Sequence, residues 1–387
     1  MNERIEKIVR KELDNGNLAG VSIYAIKDGK EIYGKQFGYS NLEDKIEMKR
    51  DTIFSVYSMS KPITAAATML LIERGILSLD TPVSKYLDGF KNQKVLCNGV
   101  LEEVKRDVVI KDLLTMTSGV AYPSDTEVGE LVNNIVNEAI EKELMRSPLS
   151  TVEFCNKLGQ VPLEFQPGEK WAYGFSADIL GAVIEVAVGK KYREFLRDEF
   201  LIPLEMVDTD FYVPDEKWSR FAKVYEYFEE EPKLRPYMGY NLAIMRQNRL
   251  PGFESGGAGL VSTYEDYLHF DTMIINNGIY RDRKILSKES IDFMRTNHLT
   301  ENQLNTYDWE DLKGYGYGTL VRVLEDKAIA NSPCAKGEFG WGGWAGTESI
   351  IDLENNMIVL YFIQRINKCD NVEKEIRKCI YEECKAL

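Results

Sequence analysis

The stretch "FSVYSMSKPITAAATMLLIERG", residues 54–75, predicts a short strand that runs into an apolar helix. Pro62 falls in the first turn of that helix, where its missing N–H would have had no helical partner, and Gly75 ends it. Ser58, Ser60 and Lys61 cluster at the junction, although one serine suffices to start a helix. The junction therefore carries more polar chemistry than helix initiation requires.

Ser58 and Lys61 are three residues apart, so on a helix they share a face and their side chains can meet. A lysine can serve as a base in place of histidine, but an ordinary pKa near 10.4 leaves only about one lysine in 2,500 neutral at pH 7. Either the surroundings favour the neutral amine, or the lysine stays charged and shares a proton with a second group such as a tyrosine. The helix N-terminus also offers N–H groups where an oxyanion would form. An ordinary helix start remains the alternative, because Ser-x-x-Lys also occurs by chance.

The chain has only two histidines, His269 in a helical pattern and His298 in a polar segment. A Ser-His-Asp triad would need one of them as its base, and histidine-rich metal sites have little material to work with. We expect both to be ordinary surface or helix histidines. We therefore expect no metal and no cofactor, and a nucleophile activated by something other than imidazole.

Composition narrows the function classes. The net charge of −14 would repel a phosphate backbone, and no basic run is interleaved with aromatics, so nucleic-acid binding is disfavoured. Apolar stretches such as 357–363 are far shorter than the roughly 20 residues of a membrane helix, and residues 1–20 lack the apolar core of a signal peptide. The six cysteines include no CxxC pair. We therefore expect a cytoplasmic protein with reduced thiols that does not bind membranes. The oligomeric state is left open.

Strand and helix patterns are segregated along the chain. Two alternating strands are joined by Asp28-Gly29, which fits a tight hairpin turn, and further strand patterns lie at 314–325, 346–354 and 356–364. Helical patterns occur at both termini and through the middle of the chain, where they include 109–119, 130–147 and 175–201. The predicted fold class is α+β, with an antiparallel sheet built from both chain termini and flanked by helices. The predicted domains are 1–76 with 255–387, and a mainly helical domain at 77–254, with the site in the cleft between them.

Two other segments carry candidate site residues. "PGEKWAYGFSADILGAVIEVAVGK" (167–190) places Tyr173 just before a helix. "GEFGWGGWAGTESIIDLENNMIVLYFIQ" (337–364) places Trp341-Gly342-Gly343 at the start of a strand. The second segment also matches GxGxxA, but a dinucleotide-binding fingerprint must open a helix and here a strand follows. A Rossmann domain is therefore not predicted.

In this order, the three segments resemble the serine β-lactamase/penicillin-binding-protein superfamily, whose signature is Ser-x-x-Lys, a Tyr or Ser motif, and Lys-Thr-Gly or a variant. The closer resemblance is to the class C β-lactamase-like branch, which includes the family VIII carboxylesterases. It extends over nearly the whole chain, because "IKDLLTMTSGV", "PLEMVDTDFYVP" and "SGGAGLVSTYEDYLHF" also match in order. The resemblance implies a β-lactamase/transpeptidase-like fold.

The resemblance also implies roles for particular residues. Ser58 would be the acyl-accepting nucleophile, Lys61 its proton partner and Tyr173 the second acid/base group. Trp341-Gly342-Gly343 stands in the place of the third motif. The backbone N–H groups of Ser58 and Trp344 would form the oxyanion hole, and Ser60 would be part of the helix start.

Three departures from the family pattern bear on the substrate. Phe175 replaces the Asn that many β-lactamases carry two residues after the tyrosine, and Met116 stands where relatives often have His. Trp341 replaces the cation that helps to hold a β-lactam carboxylate, a contact worth about 1.5–3 kcal/mol. An uncharged third motif resembles the esterase branch. Efficient β-lactamase action is therefore not expected.

We therefore expect a serine hydrolase that forms an acyl-enzyme on small esters or amides. The alternatives are a D-aminopeptidase or amidase, a β-lactamase or an acyltransferase using the same residues, and a non-catalytic binding protein on this fold. The candidates for contact with substrate, beside the third motif and Phe175, are aromatic residues for which ordinary packing is the alternative: Tyr225, Tyr227, Phe228, Tyr237 and Tyr240.

Overall fold

The computed structural model describes residues 2–97, 99–228, 233–239, 241, 248–307, 309–367 and 372–384. Within them the helices are α1 (Asn2–Asp14), α2 (Ser60–Glu73), α3 (Ile110–Leu114), α4 (Glu127–Leu144), α5 (Thr151–Gly159), α6 (Ser176–Val188), α7 (Tyr192–Leu196), α8 (Tyr264–Ile275), α9 (Lys288–Met294), α10 (Glu301–Leu304) and α11 (Val372–Cys384). The strands are β1 (Gly20–Lys27), β2 (Lys30–Asn41), β3 (Ile46–Glu47), β4 (Phe54–Ser55), β5 (Lys94–Cys97), β6 (Val100–Glu103), β7 (Tyr225–Phe228), β8 (Lys233–Pro236), β9 (Val261–Ser262), β10 (Ile279–Tyr280), β11 (Arg283–Lys284), β12 (Tyr315–Tyr317), β13 (Arg322–Leu324), β14 (Phe339–Gly342), β15 (Glu348–Asp352), β16 (Met357–Phe362) and β17 (Arg365–Ile366).

An eight-stranded antiparallel sheet of order β12-β13-β14-β15-β16-β1-β2-β3 forms the centre of the protein. Pairing of β1 with β16 joins the two ends of the chain, with Tyr24 opposite Leu360. Asp28 and Gly29 both have positive φ, 51° and 71°, as a tight two-residue hairpin turn requires. The predicted α+β fold, with a sheet built from both termini, is confirmed.

The alternation of side chains along each strand gives the sheet two apolar faces. On β1, Val21 and Ile23 belong to the core cluster that contains the buried faces of α1 and α11. Tyr24 and Ile26 belong to the larger cluster on the other face, which includes residues of α2 and α8. The sheet is thus covered by the terminal helices on one side, as predicted, and by a layer that includes α2 and α8 on the other.

Helix α2 is buried on all sides from Ser60 to Leu71, as expected of a helix that is apolar all round. Its first residue is tied to the neighbouring chain, because the Ser60 hydroxyl accepts a hydrogen bond from the Leu260 N–H at 3.1 Å. Ser60 therefore links α2 to the chain at Leu260, and its side chain does not cap its own helix. The N-terminus of α2 is fixed as a result.

The middle of the chain departs from the predicted pattern in two ways. The helix predicted at 175–201 is interrupted, because Gly189 adopts a left-handed conformation (φ 68°) that ends α6 before α7 begins. The region also contains two β-hairpins, β5–β6 and β7–β8, that were not predicted. The domain boundaries at 76 and 255 stay a prediction. Among the described residues, no helix combines the length and apolar character that crossing a membrane requires.

Candidate active site

Ser58 lies in the single turn that connects β4 to α2. The turn spans Tyr57–Met59, and Tyr57 has a positive φ of 44°, a conformation that costs non-glycine residues about 1–2 kcal/mol. Ser58 itself is only half-buried, whereas its neighbours are buried. It lines a cleft of about 610 Å³. The strained turn therefore presents one hydroxyl to an open cavity of a size that suits a small molecule.

Two side chains donate hydrogen bonds to the Ser58 oxygen. The Tyr173 hydroxyl lies 2.9 Å from Ser58 Oγ, and Lys61 Nζ lies 3.2 Å from it. Lys61 is 0% exposed because it projects from the first turn of the buried helix α2. The three residues that the resemblance marks as catalytic are thus brought together from two distant parts of the chain.

Lys61 makes two further hydrogen bonds. Its Nζ donates to the carbonyl of Gly257 at 2.9 Å and to the hydroxyl of Tyr122 at 3.2 Å. With Ser58, these acceptors match the three hydrogens of an ammonium group. The amine is therefore held in a fixed direction without a directly bonded carboxylate among these three partners.

Tyr173 is held from the opposite side by the third motif. The indole Nε1 of Trp341 donates to the Tyr173 hydroxyl at 3.1 Å. The Lys61 ammonium lies 4.5 Å from the centre of the Tyr173 ring, within cation–π range. Negative charge that develops on the Tyr173 oxygen thus meets both an N–H donor and a nearby cation.

Tyr122 is a site residue that the sequence analysis missed. Burial raises the pKa of its hydroxyl well above the ordinary value, and the negative charge of Asp178 raises it further. Tyr122 therefore stays a neutral phenol that can accept the Lys61 hydrogen bond. One sequence feature could have indicated Tyr122: it lies two residues after "IKDLLTMTSGV", a segment already matched to the family.

The third motif lies on β14 and the turn that follows it. The Gly343 N–H donates to the Thr347 carbonyl at 2.7 Å, and the Thr347 hydroxyl donates to the Val56 carbonyl at 3.4 Å. These bonds fix the turn against the chain two residues before Ser58. Trp344, 46% exposed, packs its ring edge-to-face on Tyr57 at 5.5 Å. Ser58 and Trp344 line the same cleft.

The predicted substrate contacts divide into two groups. Trp341, Gly342 and Gly343 line the cleft, together with Trp309, which the sequence analysis missed. Trp309 is half-exposed and packs edge-to-face on Tyr173 at 4.8 Å. The cleft that contains Ser58 is thus lined by several aromatic rings, and its lining also includes charged side chains such as Lys313, Arg322 and Glu348.

Phe175 and Tyr225 are not among the described residues that line this cleft, and contact of either residue with substrate stays a prediction. Phe175 is buried with its ring 4.5 Å from that of Tyr122, so it packs behind the site. The Tyr225 hydroxyl is occupied elsewhere: it accepts from the Leu42 N–H at 2.7 Å and donates to a carboxylate oxygen of Glu43 at 2.9 Å.

The other aromatic candidates at 225–240 act mainly in packing. Tyr237 borders the site only through Trp344, whose ring it meets edge-to-face at 5.4 Å. Guanidinium groups cover the rings of Tyr227 and Phe228. Tyr240 lies outside the described residues.

The two histidines are placed away from these contacts. His298 Nε2 lies 2.8 Å from the Phe293 carbonyl, and burial lowers the pKa of its imidazole. His269 lies on α8 with its ring 5.2 Å from Tyr280. Neither is among the described residues that line the cleft or bond to Ser58.

Comparison with known proteins identifies the family. The family profile described as Beta-lactamase matches residues 5–377. The chain belongs to the Beta-lactamase family. The predicted resemblance is confirmed.

Individual relatives are similar over most of their length. Protein Rv1367c of Mycobacterium tuberculosis is 30% identical over 371 residues, 92% of this chain and 88% of the relative. Esterase EstB of Burkholderia gladioli is 28% identical over 369 residues, with the same two coverages. Among solved structures, EstCE1, described as a hydrolase with promiscuous acyltransferase activity, superimposes with a TM-score of 0.83 at 26% identity, covering 98% of each chain.

The family match and the similarity to esterases make this chain a serine hydrolase of the β-lactamase fold, as predicted. The comparisons assign no role to individual residues of this chain. The geometry around Ser58 therefore provides the basis for a residue-level proposal.

Proposed function

We propose that this protein hydrolyses small carboxylic esters through an acyl-enzyme formed on Ser58. The observation that carries the proposal is the pair of hydrogen bonds to Ser58 Oγ, from Tyr173 at 2.9 Å and from Lys61 at 3.2 Å, at a cleft whose lining includes Trp309, Trp341 and Trp344. When one member of the Lys61/Tyr173 pair is deprotonated, that member can accept the proton of Ser58 as the serine oxygen attacks a carbonyl.

In the acylation step, the oxygen of Ser58 bonds to the ester carbonyl carbon and its proton passes to the Lys61/Tyr173 pair. The bond to the leaving alcohol then breaks, and the pair returns the proton to the alcohol oxygen. In deacylation, water attacks the acyl-enzyme carbonyl and gives its proton to the same pair. That proton goes back to the departing oxygen of Ser58, so the enzyme is regenerated.

The carbonyl oxygen becomes negatively charged in both tetrahedral intermediates. The N–H groups of Ser58 and Trp344 are the proposed donors to that oxyanion, because both residues border the cleft, Ser58 in the turn before α2 and Trp344 in the turn closed by the Gly343–Thr347 hydrogen bond. Donors fixed before the reaction stabilise such charge without reorganisation.

The cleft favours apolar or aromatic esters over carboxylate-bearing lactams. Trp309, Trp341 and Trp344 contribute to its lining, and the indole of Trp341 takes the third-motif position where a lactam carboxylate would need a cation. The cleft also contains Lys313, Arg322 and Lys374, but each of these cations is already paired with a carboxylate. Acyl transfer to small alcohols or amines is the second candidate, supported by similarity to a hydrolase described as a promiscuous acyltransferase.

The experiment compares initial rates on p-nitrophenyl butyrate, nitrocefin and D-alanyl p-nitroanilide, with the Ser58→Ala variant as the control. We expect the ester to be the best substrate and Ser58→Ala to be inactive on it. Addition of a small alcohol would reveal transfer as an ester product. Faster turnover of nitrocefin or of the anilide than of the ester would contradict the proposal.

A further inference from the structure

Asp178 is a buried carboxylate close to the site to which the proposed mechanism gives no task. It lies in the first turn of α6, five residues after Tyr173, and is 1% exposed. A carboxylate buried to this degree is costly unless hydrogen bonds and a cation compensate for its lost hydration. The partners of Asp178 therefore indicate its function.

A continuous chain of hydrogen bonds leads from Asp178 to Lys61. The Ser255 hydroxyl donates to Asp178 Oδ1 at 2.5 Å and accepts from the Ala258 N–H at 3.0 Å. The same peptide unit presents the Gly257 carbonyl to Lys61 Nζ at 2.9 Å. Each link thus polarises the next in one direction, from the carboxylate to the ammonium.

The turn that carries this chain is fastened directly to Asp178 as well. The Gly257 N–H donates to Asp178 Oδ1 at 3.1 Å. A Cβ atom at position 257 would lie 2.5 Å from Asp178 Oδ2, so only glycine lets the backbone approach the carboxylate this closely. The position of the Gly257 carbonyl is therefore set by Asp178.

Lys61 is the cation that acts on Asp178. Burial raises the pKa of the Asp178 carboxyl, and the Lys61 charge is the first of the influences that oppose this. Among the residues that the structure describes, the other titratable groups facing Asp178 are Tyr122, Cys155 on α5 and Tyr192 on α7. Burial raises the pKa of each of these three, so they stay neutral near pH 7.

We infer that Asp178 is a positioning residue that supplies the counter-charge for Lys61 through Ser255 and the 257–258 peptide. The inference rests on the proposed function, because it assigns Lys61 a role in proton transfer. Asp178 does not touch the substrate. It fixes the direction of the amine and places a negative charge behind it.

The test is the pH dependence of Ser58 labelling by a fluorophosphonate in Asp178→Asn. This change keeps the shape and an acceptor for Ser255, and removes the negative charge. Because a negative charge behind Lys61 is removed, the labelling profile should move to lower pH by about half to one pH unit. Ser255→Ala, which breaks the chain and leaves the carboxylate in place, should cause a smaller shift in the same direction.

The matched control is Asp271→Asn. Asp271 is also buried and also accepts a hydrogen bond from a serine, Ser349 at 2.7 Å, but it lies on α8 outside the chain to Lys61. Its variant should keep the parent profile.

An unchanged profile in both Asp178→Asn and Ser255→Ala would overturn the inference, whereas absence of labelling in the parent protein would instead overturn the proposed function. If Asp178→Asn does not fold, the Ser255→Ala profile decides the question.

Discussion

The indole Nε1 of Trp341 donates a hydrogen bond to the hydroxyl of Tyr173, 3.1 Å away. The contact joins the third motif to the proposed acid/base pair, and it uses an uncharged residue where the superfamily signature has a lysine. The tryptophan at position 341 therefore leaves the third-motif position without a cation, and it gives the Tyr173 hydroxyl a hydrogen-bond donor.

Trp341→Phe is expected to lower kcat/KM for p-nitrophenyl butyrate about ten- to hundredfold. The variant keeps an aromatic ring but loses a hydrogen bond to an oxygen that carries developing charge, a contact worth about 1.5–3 kcal/mol. Trp171→Phe is the matched control, because Trp171 is also buried beside Tyr173 and its Nε1 has no hydrogen-bond partner among the described residues. Equal losses in the two variants would show that the donor itself does not matter.

Tyr122→Phe is expected to lower kcat about tenfold with little change in stability. The variant removes one of the three acceptors that orient Lys61 Nζ, at 3.2 Å, while the ring still packs on Phe175. Tyr317→Phe serves for comparison, since the Tyr317 hydroxyl is buried with no hydrogen-bond partner among the described residues. Steady-state kinetics of both variants would refute this role of Tyr122 if its variant matched Tyr317→Phe.

Phe175→Ala is expected to destabilise the protein by about 3–5 kcal/mol, the usual cost of removing a buried phenyl ring. Its ring packs on both Tyr122 and Phe154, at 4.5 and 5.5 Å. Phe228→Ala, at a half-exposed position at the end of β7, should cost less than about 1 kcal/mol. Denaturant unfolding measures both. A small loss for Phe175→Ala would contradict the role of this ring in packing behind the site.

His298 is expected to affect the free energy of unfolding at acid pH and to have no effect on ester hydrolysis. Burial lowers the pKa of its imidazole in the folded protein, so below about pH 6.5 the unfolded chain binds a proton that the folded chain does not. Its contribution to stability is thus full above that pH and is lost as the pH falls through the folded-state pKa. Unfolding of His298→Gln between pH 7 and 5 should show a weaker pH dependence than the parent, and the two proteins should hydrolyse esters equally at pH 7.5. A large loss of activity would contradict the placement of His298.

The sequence predicts the parts of the fold that local patterns determine. The Asp28-Gly29 turn and the buried face of α11 follow from turn chemistry and apolar periodicity, and both are found. The break after α6 was missed, because Gly189 was taken as one residue within a continuous helical pattern. The two hairpins in the middle of the chain are short and partly exposed, so their strands show little alternation.

The candidate site also contains some residues that local sequence patterns indicate and others that they do not. Ser58 and Lys61 are coupled by spacing within one helix turn, so the sequence indicates them directly. Tyr173 and Trp341 required the family resemblance, because only the fold brings them to Ser58. Tyr122 and Asp178 act on Lys61 from loops and helices far along the chain, and no local pattern marks them.

The proposed acyl-enzyme mechanism depends most directly on a reactive hydroxyl at position 58. Intact-mass analysis after incubation with a fluorophosphonate, followed by peptide mapping, tests it in one measurement, with Ser58→Ala as the control. We predict a single adduct on Ser58 in the parent protein, none in Ser58→Ala, and labelling slowed at least about a hundredfold in Lys61→Met. An adduct on another residue, or labelling of Ser58→Ala at the parent rate, would contradict the assignment of Ser58 as the nucleophile.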